Sequence, residues 1–200
     1  ACEHQRVLGQ QVGVLDGRDA GVHRIPTIEQ LFARLAAQPT RRVYLDVKQL
    51  DLEALAERVR AADVAARVIL ASTDYPLIQR WKKLVPNSGT LLWMGGDEAT
   101  LTQRIEHLRS AEFAAVTQLQ IHVRTRPGPD GETLAPPEAF LRRTGEELRT
   151  RGIVFQTLPL QRSDAEIYWR LMDLGVASFA TDHPDKTMEA IRQYYQKASR

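Results

Sequence analysis

Short runs of β-forming residues alternate with amphipathic helical stretches from residue 28 onward, and this alternation limits the fold more than any other feature of the chain. Thr27-Ile28-Glu29-Gln30 has the capping-box pattern, in which a Thr side chain and a Gln three residues on satisfy free amides at a helix start. It predicts a helix over 28–38, with Leu31, Phe32 and Leu35 on the apolar face. Residues 43–48 read as a strand, and a helix opens at Leu52 with Leu55, Ala56 and Val59 on one side. The same phrase returns as strand 68–72, helix 75–84 and strand 90–94, after which Gly95-Gly96 and Asp97 mark a turn and a helix cap. Leu101, Ile105 and Leu108 give the next helix its buried stripe, and strand 116–123 follows. The Pro- and Gly-rich stretch 126–137 reads as a loop before a helix over 138–151 and a strand over 153–158. Ser163-Asp164-Ala165-Glu166 reads as a second capping box, opening a helix that carries Ile167, Leu171 and Leu174 and stops at Gly175. Strand 177–181 then leads to Pro184, well suited to the first turn of a last helix.

Six strands alternating with helices predict an α/β fold with a parallel sheet covered by helices. The periodicity fits six strands of an open doubly wound sheet and six strands of an eight-stranded barrel equally well. A chain of 200 residues, 43% hydrophobic and 26% charged, is expected to form a single domain over 1–200 around one core. Its 27 basic and 25 acidic residues leave a net charge of +2 without a long run of either sign, so no nucleic-acid partner is expected. The single cysteine, Cys2, allows no internal disulfide and lacks the Cys/His spacing of a zinc site. No stretch approaches the roughly 20 apolar residues that span a bilayer, and Ala1-Cys2-Glu3-His4-Gln5-Arg6 is not a signal peptide. The chain therefore reads as soluble, without a transmembrane segment, and its compartment stays open. Neither a phosphate loop of the Gly-x-x-x-x-Gly-Lys type nor a Gly-x-Ser-x-Gly elbow occurs, which argues against P-loop and serine-hydrolase chemistry.

In parallel α/β folds the loops leaving the C-terminal ends of strands form one rim, and polar residues there are the candidates for function. Asp46 and Lys48 are two apart on one strand and project to one face. They suit a divalent-metal ligand beside a phosphate-binding cation, or equally a salt-bridged pair inside the fold. Gln118, Gln120 and His122 share a face by the same rule; a ligand pocket or a packed hydrogen-bond network would satisfy them, with His122 nearest the rim. Gln156 interrupts an apolar strand, Trp93 is core or pocket wall, and Asp182 and His183 either line the rim or cap the last helix.

Three segments, in order, resemble the glycerophosphodiester phosphodiesterases. Arg24-Ile25-Pro26-Thr27-Ile28-Glu29 is similar to that family's "IPTLEE" helix start, and Tyr44-Leu45-Asp46-Val47-Lys48 to its hydrophobic-Glu-x-Lys strand. The segment from Leu174 to Pro184 is similar to its closing "LGVDGIxTDxP". The resemblance covers about residues 24 to 190. It implies a (β/α)8 TIM-type barrel with about six of the eight strands in this chain, and a metal-dependent hydrolase of small phosphodiesters. It also implies a divalent cofactor, Mg²⁺ or Ca²⁺, with Asp46 as a metal ligand and Lys48 and His122 as catalytic groups. Gln120, Gln156, Trp93, Asp182 and His183 would then bind substrate. Barrels that cleave phospholipid head groups are the nearest variant, and nothing in the sequence chooses the alcohol.

The departures are specific. Asp46 stands where the family has Glu, and residues 154–158 stand where it has "WTVN". The "HRG" strand, the "ExD" strand and the following "HD", which carry the family's acid, base and further metal carboxylates, have no counterpart here, and neither His4 nor His23 sits in such a context. Each positioned acid or base contributes a factor of about 10²–10⁴, so the chain alone is expected to be slow or inactive. A barrel without its opening strands has unpaired edges, which invite a homo-oligomer, and the second function expected is a non-catalytic remnant that binds a ligand or assembles.

Overall fold

The structure is a computed structural model describing residues 26–48, 50–128 and 131–198. Cys2, His4, His23, Arg24 and Ile25 lie outside the described residues. The chain forms two compact units that meet in sequence at Leu91–Leu92.

The first unit holds α1 (Ile28–Ala36), β1 (Val43–Asp46), α2 (Leu52–Ala61), β2 (Val68–Ser72), α3 (Tyr75–Leu84) and the start of β3 (Gly89–Met94). The capping box of α1 is formed: the Thr27 hydroxyl accepts from the Gln30 amide at 3.3 Å, and Gln30 Oε1 accepts from the Thr27 amide at 3.0 Å. Asp51 and Asp74 cap α2 and α3 in the same way, each carboxylate accepting the amide three residues on. β1 and β2 run parallel in register from Val43↔Val68 to Asp46↔Ala71. All five residues of β2 are buried, as a strand covered on both faces must be. Trp81, fully buried, donates its indole N–H to the Ser88 hydroxyl at 2.7 Å, and that hydroxyl donates to the Val85 carbonyl at 2.8 Å. A large aromatic can enter this core because its one polar atom has a partner.

The second unit holds the rest of β3, then α4 (Glu98–Ser110), β4 (Gln118–Gly128), β5 (Gly131–Ala135), α5 (Glu138–Thr150), β6 (Val154–Pro159), α6 (Ala165–Met172), β7 (Ser178–Phe179) and α7 (Pro184–Ala198). β4 and β6 are parallel from Gln118↔Val154 to Val123↔Pro159, and β7 joins β6 in parallel at Gln156↔Ser178. The C-terminal ends of these three strands therefore lie along one side of the unit's sheet. Gly145 stands in mid-helix on α5 because a side chain there would meet the Leu174 carbonyl oxygen at 2.6 Å.

Six strands alternating with helices give the α/β class expected from the sequence, but four local expectations need correction. The stretch 126–137 is not a loop: β4 continues to Gly128 and pairs antiparallel with β5, from Arg124↔Ala135 to Gly128↔Gly131. Pro127 is tolerated because a two-stranded arm leaves each strand with a free edge, and Gly131 takes a positive φ of 119° at the turn. The cap of α6 is Asp164 rather than Ser163, its carboxylate accepting from the Ile167 amide at 3.3 Å. Arg162 pins the same carboxylate at 2.6 and 2.7 Å, and this selects the aspartate over the neighbouring hydroxyl. The strand predicted over 43–48 ends at Asp46, and the strand predicted over 177–181 narrows to Ser178–Phe179.

Candidate active site

In the first unit, the strand's two-residue period turns Leu45 into the core while Tyr44 and Asp46 face outward. Lys48 continues that outward row, and its ammonium bridges the Asp46 carboxylate at 2.9 Å, both side chains being about half exposed. The pair is thus salt-bridged, yet at the surface rather than inside the fold. Beside it runs a cavity of about 140 Å³ walled mainly by apolar residues, among them Ile28, Leu31, Val43 and Leu55.

A hard divalent cation takes six or more oxygen ligands. Asp46 offers one carboxylate, already engaged by an ammonium, and among the described residues no group of three or more His, Cys, Asp or Glu could hold a metal. The described residues alone do not make a cation site.

Six of the sequence-predicted residues, Trp93, Gln120, His122, Gln156, Asp182 and His183, lie in the second unit, the first four on strands and the last two after β7. Gln120 and His122 share one face of β4; Gln120 is buried and His122 half-buried. The imidazole of His122 lies parallel to the indole of Trp93, with ring centroids 5.3 Å apart and planes 13° from coplanar. Burial, and then the nearby Arg124 cation, hold the imidazole below the ordinary histidine range. It is neutral at pH 7, with one nitrogen able to accept a proton and the other to donate one. Gln156 lies opposite Gln120 in the register and donates from Nε2 to the Ser178 hydroxyl at 2.8 Å.

Asp182 and His183 are exposed at the entry to α7. Just before it, the Thr181 hydroxyl accepts the His183 amide at 2.9 Å. Below that turn the hydroxyls of Thr181, Thr187 and Tyr168 form a closed triangle with sides of 2.9, 2.9 and 3.2 Å, and Thr187 also donates to the His183 carbonyl at 3.0 Å.

Sequence reasoning missed Tyr168, Thr187 and Ser178, which have no motif of their own and reach the site only through folding. It also missed Arg124 and Arg126, which continue the two-residue period of His122. Extending the strand past residue 123 would have found them.

No family model and no curated protein matches the chain. Solved structures do. A protein of Galdieria sulphuraria assigned as a glycerophosphodiester phosphodiesterase matches at TM-score 0.64 and 14% identity, over 92% of this chain and 72% of its own. A glycerophosphodiester phosphodiesterase of Parabacteroides distasonis matches at TM-score 0.58 and 17% identity, over 86% and 65%. A phosphodiesterase of Oleispira antarctica, solved in complex with the product sn-glycerol-3-phosphate, matches at TM-score 0.53 and 19% identity, over 90% and 67%. The chain therefore has the fold of these proteins, a (β/α)8-type α/β architecture with six of the strands present, and spans about two thirds of the length of the last two. No helix among the described residues is long and apolar enough to cross a membrane.

Proposed function

We propose that this chain supplies the larger part of a phosphoric diester hydrolase of the glycerophosphodiester class. The observation that carries the reading is His122: an imidazole pushed toward its neutral form by burial and by Arg124, stacked on Trp93 near the end of the part of β4 that pairs with β6, in a fold shared with glycerophosphodiester phosphodiesterases. A neutral imidazole so placed can take a proton from an attacking water or, once charged, return it to a leaving alkoxide. Trp93 orients the ring, Gln120 and Gln156 offer amide groups to a bound diester, and the exposed Asp182 and His183 flank the rim. In the first unit, taken by itself, Lys48 is a cation suited to a phosphate and Asp46 a single donor suited to a divalent ion, Mg²⁺ or Ca²⁺. That ion would supply charge neutralisation of the phosphoryl oxygens.

Hydrolysis of glycerophosphocholine and of bis(p-nitrophenyl) phosphate, with and without EDTA, tests this. Turnover by the full chain is expected to be slow, and to be lowered further by His122→Ala and by chelation. Turnover that is indifferent to His122→Ala would remove the histidine from the reaction.

One observation favours a second reading, a ligand-binding or assembly module. Among the described residues β1 pairs with β2 and lines an apolar cleft, the kind of surface on which ligands and partners dock. Sedimentation equilibrium showing a concentration-dependent dimer, together with absent turnover, is the outcome this reading expects.

A further inference from the structure

The β4–β5 arm has two electrically different faces. On one, Thr125 and Glu132 lie together: the Glu132 carboxylate is held below the usual carboxylate range first by a hydrogen bond from Thr125, then by Arg162, with Arg170 adding to the field. Its backbone carbonyl also accepts from Arg170 at 3.1 Å. The acid on that face is fully matched by cations.

On the other face, Arg124 and Arg126 follow His122 at two-residue intervals along one continuous strand. Their cross-strand neighbours, Ala135 and Thr133, carry no charge. Among the described residues no carboxylate lies within salt-bridge distance of either guanidinium. Among the described residues, the Asp97 carboxylate feels Arg126, and it is already bound to the Thr100 amide at 2.8 Å as the cap of α4. Strand geometry spaces the three side chains by about 7 Å per step, so an anion held between the two arginines lies on the order of 10 Å from the imidazole. That separation takes in a phosphate in contact with the imidazole and the alcohol beyond it. Pairing with β5 fixes the backbone that carries both arginines, so the ordering cost of binding is confined to their side chains.

We propose that Arg124 and Arg126 form an anion subsite beside His122 and Trp93, and that it selects phosphodiesters whose alcohol carries a negative charge of its own. The inference rests on the reading of His122 as part of a phosphodiester site, and it names the substrate class of that site. Two guanidiniums forked along one face suit a carboxylate or a phosphate equally, since each accepts paired N–H donors.

The test compares glycerophosphoserine, whose head group bears a carboxylate, glycerophosphoinositol 4-phosphate, whose head group bears a phosphate, and glycerophosphocholine, whose head group is cationic. Affinities of the full chain are measured by calorimetry, with NMR of the arginine Nε–Hε resonances as the locating readout. At least one anionic-head diester is expected to bind about five- to tenfold more tightly than glycerophosphocholine, and the two anionic diesters tell carboxylate from phosphate. The ratio should shrink toward one in the Arg124→Gln/Arg126→Gln variant and persist in Arg124→Lys/Arg126→Lys. It should also narrow as salt shortens the screening length. Equal affinity for all three diesters, no binding of any, or a preference that survives the glutamine pair would overturn the subsite. Failure of the hydrolase reading shows separately, as binding of the diesters without turnover.

Discussion

The Trp93 indole and the His122 imidazole lie face to face, 5.3 Å between centroids and 13° from parallel, and each limits what the other can do. The indole removes water from one side of the imidazole, and desolvation is the larger of the two causes that depress its basicity. The His122 ring, followed by NMR, should therefore titrate below the ordinary value of 6.5. Arg124→Gln and Trp93→Ala should each raise the midpoint, the first by removing a cation and the second by admitting water. The sign for stability follows. With the folded value depressed, the contribution of this group is complete above 6.5 and is lost as pH falls through the folded midpoint.

The Asp46–Lys48 bridge is half exposed, and exposed pairs are worth at most about 1 kcal/mol. Asp46→Ala should accordingly leave chemical denaturation almost unmoved. If the carboxylate is a metal donor, metal-dependent turnover should nevertheless fall by more than tenfold. A stability loss well above that figure with turnover preserved would make the pair a structural element only.

Ser88→Ala leaves the Trp81 indole N–H in a dry core without an acceptor. Stranding a buried donor costs about 1–3 kcal/mol, and urea unfolding of this variant should show a loss of that size. Ser88→Thr, which keeps the hydroxyl, should recover part of it.

Gly145→Ala sets two effects against each other. Alanine gains about 1 kcal/mol over glycine in a helix interior, but its methyl would lie 2.6 Å from a backbone carbonyl that cannot swing away. Overpacking of this kind costs about 1–3 kcal/mol, so the variant should melt lower than the parent, against its helix propensity.

Asp164 caps α6 under the hand of Arg162, which holds its carboxyl at about 2, below the ordinary 3.8. Asp164→Ala should cost about 1 kcal/mol at neutral pH, the usual worth of a cap, with the ion-pair share discounted because the carboxylate is partly exposed. The folded value is depressed, so this stability is present above 3.8 and disappears as pH falls through about 2. The difference between variant and parent should close over that interval in acid unfolding curves.

How legible each part was depended on how local its cause is. The cap of α1 needed only Thr27 and Gln30, and it formed as the residues predicted. The strand-helix rhythm was equally plain, since hydrophobic period is written within each segment. The arm at 124–135 was not, because Pro127 and the glycines read as loop until a cross-strand partner is known. The choice of Asp164 over Ser163 turned on Arg162, whose aim toward it depends on Glu132 thirty residues away. At the candidate site, His122 and Trp93 could each be named from strand position, but their stacking required the fold. The hydroxyls of Tyr168 and Thr187 come from two different helices and left no trace in the linear order.

The Tyr168–Thr181–Thr187 triangle divides labour at the mouth of the second unit. The turn is moored from its inner side, by three hydroxyls and a carbonyl, while the residues it displays at 182 and 183 carry none of that mooring in their side chains. Selection can therefore exchange the displayed acid and imidazole for other chemistry without loosening the moorings. Loss of a single hydroxyl underneath would unsettle whatever pair is on display.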